Sequence, residues 1–209
     1  MTILIYIIAF AITITIHEAA HAWMADRLGD PTARLAGRLS LNPIAHVDIY
    51  GTIIIPLVLI FFGSPFVVGW AKPVPIDPYN LENPKRDSAL ISFAGPLVNI
   101  TLATALAIIA RLFPISPVFN ILYPVILLNI TLAVFNLIPI HPLDGGKVLV
   151  GILPHKEAVE LDRFLNQFGL ILLLIMIFPL FGGTSLISIV ISPVINIITH
   201  LLVPGASVI

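Results

Sequence analysis

The chain contains no cysteine, which excludes disulfides and thiolate metal sites. Charge is almost as scarce. Charged residues make up 10% of the 209 positions, where a soluble globular domain carries about 25%. Ten lysines and arginines against eleven acidic residues leave a net charge of −1, which argues against nucleic-acid binding. There is no internal repeat and no low-complexity tract, and no soluble domain is legible at either end. What fills the chain is apolar: 58% of residues are hydrophobic and the mean hydropathy is +1.08. The composition describes an integral membrane protein with a single domain, residues 1–209.

The first apolar run, 3–24, is long enough for a bilayer core. It lacks the basic flank of a cleavable signal and is read as a retained helix. Inside it lies Ile16-His17-Glu18-Ala19-Ala20-His21-Ala22. A spacing of four puts His17 and His21 one above the other on a helix face. Two imidazoles so placed can hold one Zn²⁺, and Glu18, about 100° round the helix, can reach a water at the ion. Polar groups of this kind in a membrane helix are costly, so they point to function.

Two further polar constellations sit in apolar surroundings. In Phe93-Ala94-Gly95-Pro96-Leu97-Val98-Asn99, Gly95 allows a close helix approach and Asn99 must find a partner; alone, this also reads as a small-residue packing face. In Asn136-Leu137-Ile138-Pro139-Ile140-His141-Pro142-Leu143-Asp144-Gly145-Gly146, Asp144 is the natural third ligand, because catalytic zinc commonly takes two histidines and a carboxylate. By itself the same stretch reads as a surface turn.

The remaining pattern predicts an all-α polytopic membrane protein. After 3–24, the weak alternation within 33–48 predicts one or two short surface β-strands. Residues 51–70 are apolar but broken at Gly63-Ser64-Pro65, so they form either a poor span or a re-entrant hairpin. Pro73, Pro75, Pro78 and Pro84 make 72–87 a loop. Spans follow at 88–112 and 117–137, then a short helix to about 153. The last two spans, 161–181 and 185–203, are joined through Gly182-Gly183. The motif-bearing core is 3–153; the C-terminal helices, 161–203, carry no motif.

Taken together, His17-Glu18-x-x-His21, Ala94-Gly95-Pro96-x-x-Asn99 and Asn136-Leu137-Ile138-Pro139 running into Pro142-Leu143-Asp144-Gly145-Gly146 resemble the site-2-type intramembrane metalloproteases of peptidase family M50. Gly37-Arg38-Leu39-Ser40-Leu41-Asn42-Pro43 and Gly69-Trp70-Ala71-Lys72-Pro73-Val74-Pro75 resemble its compact branch, without PDZ or CBS domains. The resemblance covers residues 9 to 152. It implies one Zn²⁺ on His17, His21 and Asp144, with Glu18 as the base. It also implies a substrate that is itself a transmembrane segment. Asn136 or Asn99, with Gly95 beside them, is then expected to serve the oxyanion or the unwound substrate strand. His141 stands where relatives usually have an apolar residue or proline.

Ligand convergence acts as a ruler for topology. If His17, His21 and Asp144 meet, the ends of the first helix and of 117–137 face one side. Residues 51–70 then enter and return rather than cross, giving five transmembrane helices plus a hairpin (six if it spans). Nine of the ten cationic residues then lie on the site's face and only Arg111 on the other. That asymmetry predicts a cell-membrane protein with a cytoplasmic site, an external N-terminus and an internal C-terminus. His46, beside Asp48, reads as a surface loop residue, with capping of the site as the alternative; His141, three residues before Asp144, reads as a site neighbour, with a further or inhibitory fourth ligand as the alternative; His155 and His200 read as interfacial. Two other functions stay open at this stage: a catalytically silent binder of membrane helices, and a metal transporter. The complete Glu18 set disfavours the first, and the lack of carboxylates in the last two helices disfavours the second.

Overall fold

A computed structural model describes residues 2–62, 69–113, 117–178 and 184–204. The turn expected at Gly63-Ser64-Pro65 and the Gly182-Gly183 connection lie outside the described residues. In chain order the helices are α1 (Thr2–Arg27), α2 (Thr32–Leu35), α3 (Ile55–Phe61), α4 (Pro84–Leu112), α5 (Pro117–Asn136), α6 (Asp144–Ile152), α7 (His155–Ile177) and α8 (Leu186–Leu202). No strand occurs among the described residues. Among the described residues three helices are long and apolar enough to cross a membrane: Ile5–Arg27, Pro84–Leu112 and Val118–Asn136.

These three form a bundle with two distinct ends. At one end Met24, Ala25 and Leu28 of α1 pack with Ile91 of α4 and with Ile76 and Leu81. At the other, Ala107 and Ala110 of α4 pack with Phe119, Leu122 and Tyr123 of α5. α1 and α5 therefore run antiparallel to α4, and the ends of α1 and α5 share the first end with the start of α4.

The start of α4 corrects the loop expected for 72–87. Pro84 sits in the first turn of the helix, where its missing N–H costs nothing. Asn83 caps the helix by accepting from Arg86 N, and the Asp87 carboxylate accepts in return from Asn83 N at 2.8 Å. This reciprocal pair fixes the helix start four residues earlier than apolar periodicity suggested.

The strands expected within 33–48 are absent. The segment instead forms α2 and a 3₁₀ turn, Pro43–His46. Its amides are satisfied locally: Leu35, Ala36 and Arg38 donate to the carbonyls of Pro31, Thr32 and Ala33. Gly37 takes φ 69° to reverse the chain. Buried Arg38 then clamps the loop by donating to the carbonyls of Ala45, Lys72 and Pro73. These bonds fold the segment back on itself instead of leaving it extended.

The two ends of segment 51–70 lie side by side. Trp70 N donates to Gly51 O at 3.1 Å, and Thr52 Oγ1 donates to Trp70 O at 2.8 Å. The Trp70 indole occupies the space a side chain at residue 51 would need. The ends of a crossing segment would stand a bilayer thickness apart.

The last two helices differ from the expected pair of crossings. α8 ends at the far end of the bundle: Arg111, in the last turn of α4, donates to Leu202 O at 3.0 Å and to Leu201 O at 2.6 Å. α8 begins at the opposite end, where Ile187 packs with Ile138, Leu143 and Leu173. It therefore runs parallel to α4. α7 does not reach the far end, because its last turns, with Leu173, Met176 and Ile177, pack beside the 138–143 segment. Its first half carries Lys156, Glu157, Glu160, Asp162 and Arg163, which favours a polar location. The return of the chain to the site's face after 185–203 is therefore corrected: α8 leads away from that face.

Candidate metal centre

Three helices bring the sequence-predicted ligands together. His17 and His21 project from α1 onto α4, and Asp144 is the first residue of α6. One Asp144 oxygen lies 3.2 Å from His17 Nε2 and 3.3 Å from His21 Nε2. The three donor atoms all fall within 4.8 Å of one another. Zinc bonds of about 2.0–2.1 Å in a tetrahedron put neighbouring donors about 3.3–3.4 Å apart. The two separations from Asp144 match that spacing, so the three side chains form a group that could hold one such ion.

The other nitrogen of each imidazole is held by an acceptor. His17 Nδ1 donates to Asn99 Oδ1 at 2.6 Å, and His21 Nδ1 donates to Ile91 O at 2.7 Å. A proton fixed on Nδ1 leaves the Nε2 lone pair for a metal. Asp144 is pushed towards its neutral form by burial. Hydrogen bonds and charge from His17 and His21 outweigh that push and hold it well below the usual carboxylate range. The donor set is thus two imidazoles and one anionic oxygen, with both histidine orientations set by α4.

α4 can come this close because residue 95 is glycine. A Cβ there would lie 2.6 Å from His21 Cε1 and 2.7 Å from His17 Cε1. Pro96, in the same turn, has no N–H for the carbonyl four residues back. Asp144 is placed by a tight reversal after α5: Ile140 N donates to Ile138 O, and Leu143 N donates to Ile140 O. The His141–Pro142 peptide is cis. Gly145 packs against the carbonyls of Leu137 and Ile138, leaving no room for a side chain.

Behind His17 lies a buried amide chain whose second half sequence reading missed. Asn99 Nδ2 donates to Asn129 Oδ1 at 2.6 Å, and Asn129 Nδ2 donates to Thr13 Oγ1 at 2.9 Å and to Val125 O at 2.8 Å. Asn99 and Asn129 are fully buried. The available signal was an amide in the middle of an apolar helix, which must be satisfied by a neighbouring helix. Asn99 has spent its oxygen on His17 and its amide on Asn129 and on Thr13 O, which leaves nothing for a substrate. Asn136, at the end of α5, donates to Leu132 O and is half-buried. Glu18 is half-buried, and no described residue hydrogen-bonds or ion-pairs its carboxylate.

His46 and His141 stand outside the ligand group. His46 is buried and bonds Ser40 O at 2.8 Å, a loop-holding role rather than a surface one. His141 turns to α7, where Nδ1 meets Asn166 Oδ1 at 3.2 Å.

The sequence profile of peptidase family M50 matches residues 5–116 and 113–176. The chain belongs to peptidase family M50. The match runs past the last sequence motif and through most of α7. This M50 chain is 33% identical over 187 residues to the protein named "Putative zinc metalloprotease YwhC" of Bacillus subtilis, a match covering 83% of this chain and 80% of that protein. It is 31% identical over 177 residues to "Putative zinc metalloprotease Rip2" of Mycobacterium tuberculosis, covering 81% and 65% respectively. It is 38% identical over 105 residues to "Zinc metalloprotease MJ0392" of Methanocaldococcus jannaschii, covering 49% and 30%. No solved structure matches the chain.

Proposed function

We propose that this chain is an intramembrane zinc metalloendopeptidase that hydrolyses peptide bonds in or near transmembrane segments of membrane proteins. The observation that carries the reading is the convergence of His17 Nε2, His21 Nε2 and Asp144 Oδ2 among helices apolar enough to span a bilayer. Membership of a peptidase family supports it. His17, His21 and Asp144 would hold one Zn²⁺. When bound, that ion acidifies water and polarises a carbonyl. Glu18 takes the proton of the attacking water and delivers it to the leaving amine, and its unengaged carboxylate suits that exchange. Asn99 orients His17 rather than touching substrate. Asn136, with amide capacity beyond its bond to Leu132 O, is the better partner for an oxyanion or an unwound strand.

Topology follows from the two ends of the bundle. The metal-ligand end receives Arg27, Arg34, Arg38, Lys72, Lys85, Arg86, Lys147, Lys156 and Arg163, and the far end receives Arg111. That bias puts the site towards the cytoplasm and the start of α1 outside. α1, α4, α5 and α8 cross, 51–70 enters and returns, and α7 stays at the cytoplasmic end. The deciding experiment reconstitutes the protein with a reporter transmembrane helix and measures zinc content and cleavage together. Zinc at one per chain with cleavage supports the reading. Helix binding without cleavage makes the chain a silent binder, and zinc flux without cleavage makes it a transporter.

A further inference from the structure

On the metal-ligand end, but apart from the ligands, a cavity of about 610 Å³ opens between α4, α6 and α7. Five basic or imidazole side chains from distant parts of the chain line it: Lys85, His141, Lys147, His155 and Arg163; Asp162 is the one carboxylate. That carboxylate is already engaged, accepting from Asn166 Nδ2 at 3.0 Å and lying 3.8 Å from His141 Nε2. Lys85 donates to Leu153 O and so closes the end of α6. Lys147 and Arg163, by contrast, have no acceptor among the described residues, and both are exposed. His141 Nε2 is buried without a hydrogen-bond partner.

The cavity's other walls set the chemistry further. Ile76, Val150 and Val159 give it an aliphatic side. α7 begins at the cavity with His155, and its N-cap, Pro154, offers the first-turn amides no side-chain bond. Those amides carry the positive end of a 23-residue helix. The cavity lies beside the polar first turn of α4, just before its apolar run from Ala89. Unpaired cations, an uncapped helix start and an aliphatic wall at that level together match a phosphate at a membrane surface.

We propose that the α4–α6–α7 cavity binds a phosphate-bearing anion, with Lys147 and Arg163 as its charged clamps. The site is separate from the metal ligands and does not depend on the proteolytic reading. A lipid headgroup and soluble phosphate share this chemistry, and the experiment distinguishes them. Purified protein is titrated with vesicles of phosphatidylglycerol in phosphatidylcholine, with vesicles of phosphatidylcholine alone, and with inorganic phosphate. The same titrations are run on Lys147→Gln/Arg163→Gln and on the charge-retaining Lys147→Arg/Arg163→Lys. The site predicts preference for phosphatidylglycerol or binding of inorganic phosphate, weakened roughly 10- to 30-fold in the glutamine variant and kept in the charge-retaining one. Phosphatidylglycerol preference alone identifies a headgroup; inorganic phosphate binding identifies a free anion. Equal affinity of the glutamine variant and the wild type, or no preference and no phosphate binding in the wild type, overturns the proposal. Zinc content and helicity of each variant are recorded beside binding. Should the double variant lose its helicity, Arg163→Gln alone, at an exposed unpaired position, carries the comparison.

Discussion

At the scale of single residues, the centre depends on atoms that do not touch an ion. Glu18→Gln is expected to keep zinc while lowering kcat by about 10²–10⁴-fold, the span of general acid–base contributions. Metal analysis alongside a reporter-cleavage assay checks it, and residual wild-type turnover would remove Glu18 from its role. Gly95→Ala is a sharper test of geometry. In an ordinary helix interior the change adds up to about 1 kcal/mol of stability. Here the new methyl meets both imidazoles, and overpacking of that kind costs about 1–3 kcal/mol. The expected result is lower zinc affinity and lower thermal stability; a stabilised variant with full zinc would mean that α4 does not press on the histidines. Asn129→Leu leaves the Asn99 amide only its longer bond to Thr13 O and should weaken zinc binding about 10-fold, at the low end for outer partners of metal ligands. Chelator competition reads that loss, and the cobalt-substituted spectrum should shift with it, since His17 is reoriented rather than removed.

At the scale of elements, the loops at the metal-ligand end are held by buried polar side chains rather than by strands. Asp30 is the centre of one such knot. Its carboxylate accepts from the backbone of Thr32 and of Asp77 and from the Asn80 amide. Burial pushes its pKa up, but the bonds from Thr32, Asn80 and Asp77 win and lower it. A depressed folded-state pKa contributes stability that is present above the unfolded value and lost as pH falls through the folded one. Asp30→Asn should therefore cost about 2 kcal/mol at pH 7. The gap to wild type should close progressively below about pH 4, the ordinary range for a carboxyl. Denaturation in detergent at several pH values measures it; a gap independent of pH would show that the charge is not what Asp30 contributes. The same local satisfaction explains why alternation within 33–48 misled. Period-two patterning marks a strand only where a partner edge exists, and Arg38 with Gly37 had already closed this segment on itself.

At the scale of the whole molecule, the direction of α8 is the most consequential feature. The chain has no native cysteine, so single introduced thiols report topology without background. Leu112→Cys and Pro204→Cys should label from one side of the membrane, and Lys72→Cys and Glu157→Cys from the other. Labelling of Pro204→Cys together with Glu157→Cys would reverse α8 and restore an antiparallel pair of crossings. The expected pair rested on apolar length and on a turn at Gly182-Gly183, and length does not carry direction. Arg111 carries it here: a guanidinium at the end of α4 satisfies the last carbonyls of α8, and cations favour such ends.

The amino-acid sequence by itself singled out His17, His21 and Asp144, the approach of the ends of α1 and α5, and a composition suited to a membrane. These are local or combinatorial properties: a four-residue spacing on one helix, a carboxylate after a proline break, a charge content too low for a soluble domain. Even the meeting of the two ends of 51–70 was legible, because the three expected ligands could share one point only if that segment returned. Only the tertiary structure decided what Asn99 and Asn129 do, why residue 95 carries no side chain, and which way α8 runs. Each depends on which helix face meets which neighbour across 30 or more residues of sequence, and an apolar helix presents nearly the same pattern on every face. In such a chain the sparse polar groups select the partners, and their pairing exists only once the helices are packed.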